Sequence, residues 1–346
     1  LKLKPFRPHV GGENSEKTEF PPTAMALPGR FVRLVASARP AAAATQRRAE
    51  TGTADGWTKG AASYDAISVF TSKFTIASAQ ILCQELGTVQ NPLRVLDVAA
   101  GNGASTFALA SELVARYRSA TNVDITATDF SPAMVEKLNT TLAAGAFGSE
   151  VRSAMEAGQL KIAAQVADAQ DHHKFRDSSF DAITCSFGLM FPPQPEKVVE
   201  EFWRLLKPGG VAIASCWHYM SLGDEVGVDL AHVFMQQDRD HEFAPRERRF
   251  GNERFLRKLF RGDMSASRKR LWEDDAMEFR IAGGEGSIAP QSVTAMLNSN
   301  PVYSSYGTWD EDAAEKYLRS TWAGADGNIP IRGTSGILIA RKPAHS

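Results

Sequence analysis

The chain has 346 residues, a formal net charge of −1 and 43% hydrophobic residues. This is globular composition on a chain long enough to bury a sizeable core. Near-neutral charge removes the electrostatic footprint of phosphate neutralisation and argues against a nucleic-acid partner. No apolar run approaches the ~20 residues of a membrane span, so none is expected.

Residues 1–24 carry Pro5, Pro8, Gly11, Gly12, Pro21 and Pro22 and are predicted not to fold. The first methionine is Met25, and residues 25–49 hold Arg30, Arg33, Arg39, Arg47 and Arg48 with no acid before Glu50. That is transit-peptide composition, which predicts a mitochondrial or other organelle matrix; an ordinary leader leaves the protein cytoplasmic. Ordered structure is expected from Trp57 as one domain, 57–346. Within it, residues 57–90 form an N-terminal helical lid, and residues at about 218–325 form an insert that covers substrate.

Residues 61–87 have helical spacing and end at Gly87. A strand-and-helix rhythm follows. Strands are predicted at 93–99, 123–129, 159–168, 179–188 and 211–217, and helices at 104–118, 131–144 and 195–207. Ser131 is placed to cap its helix, with Pro132 at the first helical position. Pro208-Gly209-Gly210 stops the 195–207 helix. Strands alternating with helices imply parallel βαβ units in a doubly wound, mostly parallel, Rossmann-like α/β sheet of seven strands with helices on both faces. The remainder is less regular. It is predicted to hold helices at 222–237, 252–261, 289–298 and 309–323, a strand within 268–282, and a final strand within 329–343. Cys83, Cys185 and Cys216 sit in apolar runs without metal-like spacing; they are expected to be free, buried thiols in a reducing compartment.

The chemistry concentrates in VLDVAAGNGAST, residues 95–106. A strand ends near Asp97, and a small-residue loop with Ala99, Gly101 and Gly103 leads into a helix. Such a loop lies at the carboxyl end of a strand, where open α/β sheets bind ligands. The third glycine of a dinucleotide loop is absent; Thr106 stands there. Asp97 repels a pyrophosphate and attracts an ammonium or sulfonium, which favours S-adenosylmethionine (AdoMet) over NAD. Asp129, ending the second strand, is suited to accept both hydroxyls of a ribose. Phe130 beside it is a candidate adenine contact or a core residue. Asp168 after the third strand is a candidate acceptor for the adenine amino group or a turn cap.

Together with ITATDFSPAMVEKL, VADAQD and FRDSSFDAITCSFGLMFPPQPEKVVEEFWRLLKPGGVAIASCW, these segments resemble class I AdoMet-dependent methyltransferases of the small-molecule type 11, UbiE-like group. The resemblance is strong over 57–217. It implies that Asp97, Gly101 and Gly103 cradle the methionine part of AdoMet and that Asp129 holds the ribose. Phe130, Met134, Asp168 and Ala169 would frame the adenine, and Ser186 and Phe187 would line the methionine and methyl group. Tyr64 resembles an aromatic that closes over AdoMet in relatives. FGLMFPPQP departs from the F-G-L-R-N segment of quinone C-methyltransferases.

The expected activity is methyl transfer to a small-molecule acceptor by in-line displacement, needing no metal. His218 is the candidate catalytic base; Tyr219, His172 and His173 lie nearby in the sequence. The basic runs 246–249 and 268–270 read as solvated surface. Two alternatives stand beside this reading: a non-catalytic AdoMet-binding protein that stabilises a partner, and an NAD-dependent oxidoreductase.

Overall fold

In the computed structural model, the described residues are 56–58, 64–87, 89, 91–117, 122–235, 249–266, 269–299 and 309–345. The leader and most of the 246–249 basic run lie outside them. The described residues fall within one compact unit, 41–346.

The chain orders as α1 (Tyr64–Glu85), β1 (Leu93–Val98), α2 (Ala104–Tyr117), β2 (Val123–Asp129), α3 (Pro132–Ala144), α4 (Ser149–Glu156), β3 (Leu160–Val166) and β4 (Phe180–Ser186). Then come α5 (Pro195–Leu205), β5 (Leu206–Met220), a π-helical segment (Leu222–Gly227), α6 (Val228–Met235), α7 (Glu253–Arg261), β6 (Met277–Ile288), α8 (Pro290–Ser299), α9 (Glu311–Thr321) and β7 (Ile329–Arg341). The seven strands form one sheet in the order β3-β2-β1-β4-β5-β7-β6. Every neighbouring pair from β3 to β5 is parallel, and β7 runs antiparallel between β5 and β6. The fold is a doubly wound α/β sheet, as the strand-and-helix rhythm predicts.

Side chains of the central strands alternate between two cores, as a period of two requires. Leu93, Val95, Ala182, Val211, Ile213, Ile337 and Ile339 face one core with Ala79 and Leu82 of α1 and Leu109 and Leu113 of α2. Leu96, Val98, Ile183, Cys185, Ala212, Ala214 and Leu338 face the other, with Val198 and Phe202 of α5 and Leu256 and Phe260 of α7. Burial on both faces is why these strands read as continuous apolar runs. The three cysteines are free and buried.

Three elements differ from the sequence reading. Helix α4 was not expected. Strand β5 begins at Leu206 rather than 211, because Leu206 pairs with Phe180 and Gly209 N–H donates to the Lys342 carbonyl. Strand β6 runs on through Ala282-Gly283-Gly284-Glu285-Gly286, beyond the strand expected within 268–282. Its glycines seat α1: a Cβ on Gly284 would stand 3.0 Å from the Phe74 ring, and one on Gly286 would stand 3.3 Å from the Phe70 ring. Helix α1 therefore lies on the sheet as part of a layer.

Among the described residues, no helix is long and apolar enough to cross a membrane.

Phe202 is fully buried at the α5 contact with α7, edge-on to Phe260. Phe202→Ala is expected to lower unfolding free energy by about 3–5 kcal/mol, measured by urea denaturation with an unchanged m-value.

Candidate active site

Strands β1 and β4 are neighbours, yet the chain leaves them in opposite directions: β1 leads to β2 and β3, β4 to β5 and beyond. Their following loops part above the sheet and leave a crevice at this switch point. The two loops also touch. A Cβ on Gly188 would lie 2.3 Å from the Cβ of Ala99, so only glycine fits there. Two non-glycine residues with left-handed backbone, Ala99 (φ 56°) and Phe187 (φ 57°), flank this contact. Such conformations cost on the order of 1–3 kcal/mol each and persist where the surroundings fix them. Gly101 (φ 57°) and Gly103 (φ 98°) complete the turn into α2.

The crevice has a volume of about 250 Å³, just below the roughly 300–1,000 Å³ of drug-sized small-molecule sites. Ala99, Gly101, Asp129, Phe130, Met134, Asp168, Ala169, Ser186 and Phe187 all line it. These nine candidate residues arrive from four loops at one edge of the sheet. Trp57, Ala167, Gln170, Gly188, Phe191, Pro192 and Pro193 also line it and were not expected as site residues. FPPQP was the visible signal for the last three. Trp57 packs edge-on to Phe191 with ring centroids 4.6 Å apart, and Met134 joins them. Beside Trp57, the Thr58 and Ser131 hydroxyls are hydrogen-bonded at 3.2 Å.

Asp129 closes β2 and is only 7% exposed. The Gly101 and Ser131 backbone N–H groups each donate to one of its carboxylate oxygens at 2.9 Å. Burial pushes its carboxyl up to about 6; these amides pull the other way, and nearby Asp97 adds to the rise. Ser131 also caps α3, accepting from Met134 N–H.

Asp97 has a different place. It is fully buried beneath the loop, away from the crevice wall. Its carboxylate accepts from Ser105 and Thr106 of α2, both at 2.7 Å, and from Thr184 of β4 at 3.0 Å. Burial raises its carboxyl above the ordinary range, with the three hydroxyls opposing. Gly103 is likewise buried, its Cα against Phe107 and Leu138, where a Cβ would come within 2.8 and 3.0 Å. Asp97 and Gly103 thus shape the loop from below.

His218 is exposed outside the crevice and donates from Nδ1 to the Gly251 carbonyl at 3.2 Å. Tyr219 donates to Glu225, and Arg332 lies against both. Trp217 stacks on Phe187 at 4.2 Å between centroids, behind the crevice wall. Tyr64 begins α1, and its side chain lies outside the described residues.

His172, 1% exposed, sits under the 167–170 wall. Its Nε2 is 3.3 Å from the Thr128 hydroxyl, and its ring stacks on Phe175. Its backbone N–H donates to Glu201, which is held in turn by Arg204. Burial holds the imidazole below its usual range; Glu201 and Asp168 oppose this and Arg204 adds to it.

Residues 96–214 match the family described as "Methyltransferase domain". The chain is 38% identical over 117 residues to a demethylmenaquinone methyltransferase of Clavibacter sepedonicus, covering 34% of this chain and 38% of that protein. It is 38% identical over 117 residues to a ubiquinone/menaquinone biosynthesis C-methyltransferase UbiE of Geotalea daltonii, covering 34% and 42%. It is 30% identical over 120 residues to a mitochondrial 2-methoxy-6-polyprenyl-1,4-benzoquinol methylase of Schizosaccharomyces pombe, covering 35% and 36%. The match thus spans about two fifths of the length of these relatives. Among solved structures, the YcgJ protein from Bacillus subtilis aligns over 77% of this chain and 98% of its own, at 17% identity and a TM-score of 0.44. The matched residues include every crevice-lining residue described except Trp57.

The neutral state of His172 carries a stability signature. A depressed imidazole pKa means that the unfolded chain binds the proton first. The contribution is present above the ordinary value, about 6.5, and is lost as pH falls below it. His172→Leu is expected to lose less stability than the parent between pH 7.5 and pH 5 in urea denaturation. Equal losses would show that the ring does not titrate in this window.

Proposed function

We propose that this protein transfers a methyl group from AdoMet to a small-molecule acceptor. The observation that carries the reading is Asp129, a buried carboxylate on the crevice wall whose two oxygens are each fixed by a backbone amide. A carboxylate oxygen accepts more than one hydrogen bond, so both oxygens retain capacity for a vicinal diol such as ribose. Binding there returns hydrogen bonds that burial has taken from the charge. Phe130, Met134 and Ala169 offer apolar walls to an adenine, and Asp168 an acceptor for its amino group. Gly101, Ser186 and the strained Ala99 and Phe187 bring backbone close to the remainder of the cofactor. Asp97 braces the loop that presents Gly101.

AdoMet would supply the activated methyl group. The protein's task is then to hold donor and acceptor in line and exclude water. Trp57, Phe187 and Phe191 give the crevice apolar surfaces that do so. His218 is displaced from the base role by its place outside the crevice. The composition of residues 25–49 supports an organelle-targeting leader, a location the fission-yeast relative's name also carries for that protein.

Ligand affinity should follow the ionisation of Asp129. The charged form accepts both hydroxyls, so binding requires the carboxylate. Affinity for S-adenosylhomocysteine, measured by calorimetry, is expected to be flat above pH 7 and to fall about tenfold per unit below about pH 6. Asp129→Asn should bind more weakly by about 1.5–3 kcal/mol and lose that pH slope. Tight, pH-independent binding by the variant would remove Asp129 from the site.

A further inference from the structure

A hydrogen-bonding side chain bridges the two walls of the crevice. Gln170 lies on the β3 side, two residues beyond Asp168, and it lines the cavity. Its Oε1 accepts from the backbone N–H of Gln194 at 2.9 Å. Its Nε2 donates to Asp168, lying 3.2 Å from one carboxylate oxygen and 3.3 Å from the other. The Gln170 backbone N–H donates to the same carboxylate at 2.9 Å. Gln194 follows Phe191-Pro192-Pro193 on the opposite wall and stands at the N-terminus of α5.

The amide orientation is forced by its partners. A glutamine amide has one acceptor oxygen and one donor nitrogen. Turned over, it would set its oxygen against a carboxylate and its NH2 group against an N–H. Both contacts would become repulsive. The bridge therefore has a polarity: it accepts from the α5 side and donates to Asp168. Asp168 is itself an exposed side chain, and an exposed carboxylate is free to turn. The two Gln170 donors restrict that turning; Oδ1 accepts from both of them, while Oδ2, with a single contact, keeps room for a further donor.

We propose that Gln170 is a positioning residue that fixes Asp168 to read the amino group of the adenine and ties that reading to the Phe191–Gln194 wall. This rests on the AdoMet reading above. Cofactor recognition at one end of the crevice is thereby coupled to the segment that borders the other end. Two neutral residues of similar length separate the roles of the amide. Gln170→Met keeps the bulk and removes both hydrogen-bonding ends. Gln170→Asn keeps the amide but is one methylene too short to span the walls.

The test compares S-adenosylhomocysteine with S-inosylhomocysteine, in which a carbonyl oxygen replaces the adenine amino group. A ratio of affinities is unmoved by a general loss of stability. The parent full-length chain is expected to prefer the adenosyl compound at least tenfold by calorimetry. Gln170→Met and Gln170→Asn should bring the ratio close to one, with melting temperatures within a few degrees of the parent. In hydrogen exchange, S-adenosylhomocysteine should slow the Gln194 amide in the parent and leave it unslowed in both variants. If the variants keep the parent's ratio and the Gln194 response, Gln170 has no positioning role. If the parent binds neither compound, the AdoMet reading falls and takes this proposal with it; the parent measurement alone distinguishes the two failures.

Discussion

A fully buried carboxylate holds the centre of this molecule. Asp97 accepts three hydroxyl hydrogen bonds, two from the first turn of α2 and one from β4. Those bonds tie together the strand, helix and neighbouring strand that meet at the switch point. A buried charge is tolerable only when its lone pairs are used. Here each donor comes from a different position on the frame, so satisfying the charge fixes the frame. The Gly101 N–H is delivered to Asp129 by the same loop. Ala99 is held in its strained backbone between that loop and Gly188. The crevice is the space that remains when these constraints are met together.

Most of the fold is legible in the sequence because the central strands are buried on both faces and the helices between them are amphipathic. The exceptions have local causes. Helix α4, SEVRSAME, has eight residues and only two buried side chains, Val151 and Ala154. So short a polar segment carries little periodic signal. The Gly-rich part of β6 lies beyond the strand read from the sequence because glycine disfavours strands. It is strand because α1 lays Phe70 and Phe74 on it, a long-range contact that no local window contains.

The site was legible where the strand ends could be counted. Asp97, Asp129 and Asp168 share an edge in the sequence pattern, yet they meet three environments. Asp97 is under the loop, Asp129 on the wall with fixed oxygens, and Asp168 exposed at the rim. Spacing gives the edge but not the depth, because depth depends on where Ser105, Thr106 and Thr184 turn their hydroxyls. Trp57 and Gln170 escaped for a related reason. Each is placed by a partner far along the chain: Phe191 for one, Gln194 for the other. His218 had the right place in the sequence, but β5 runs past the crevice and carries it outside.

The charge pattern of the crevice also bears on which nucleotide it suits. Among the described residues, two acids line it, Asp129 and Asp168, with Asp97 buried behind, and no Lys, Arg or His lines it. In a low-dielectric crevice a negative field of this kind opposes a phosphate and favours a cation or a neutral sugar. A pyrophosphate site solves the opposite problem, with glycine backbone at a helix N-terminus and no acid beneath it. Here the turn into α2 has Thr106 in place of the third glycine, and that threonine spends its hydroxyl on Asp97. The residue that departs from the dinucleotide pattern is therefore the one that satisfies the acid a dinucleotide would not tolerate. One substitution in the loop and one carboxylate under it act as a single device.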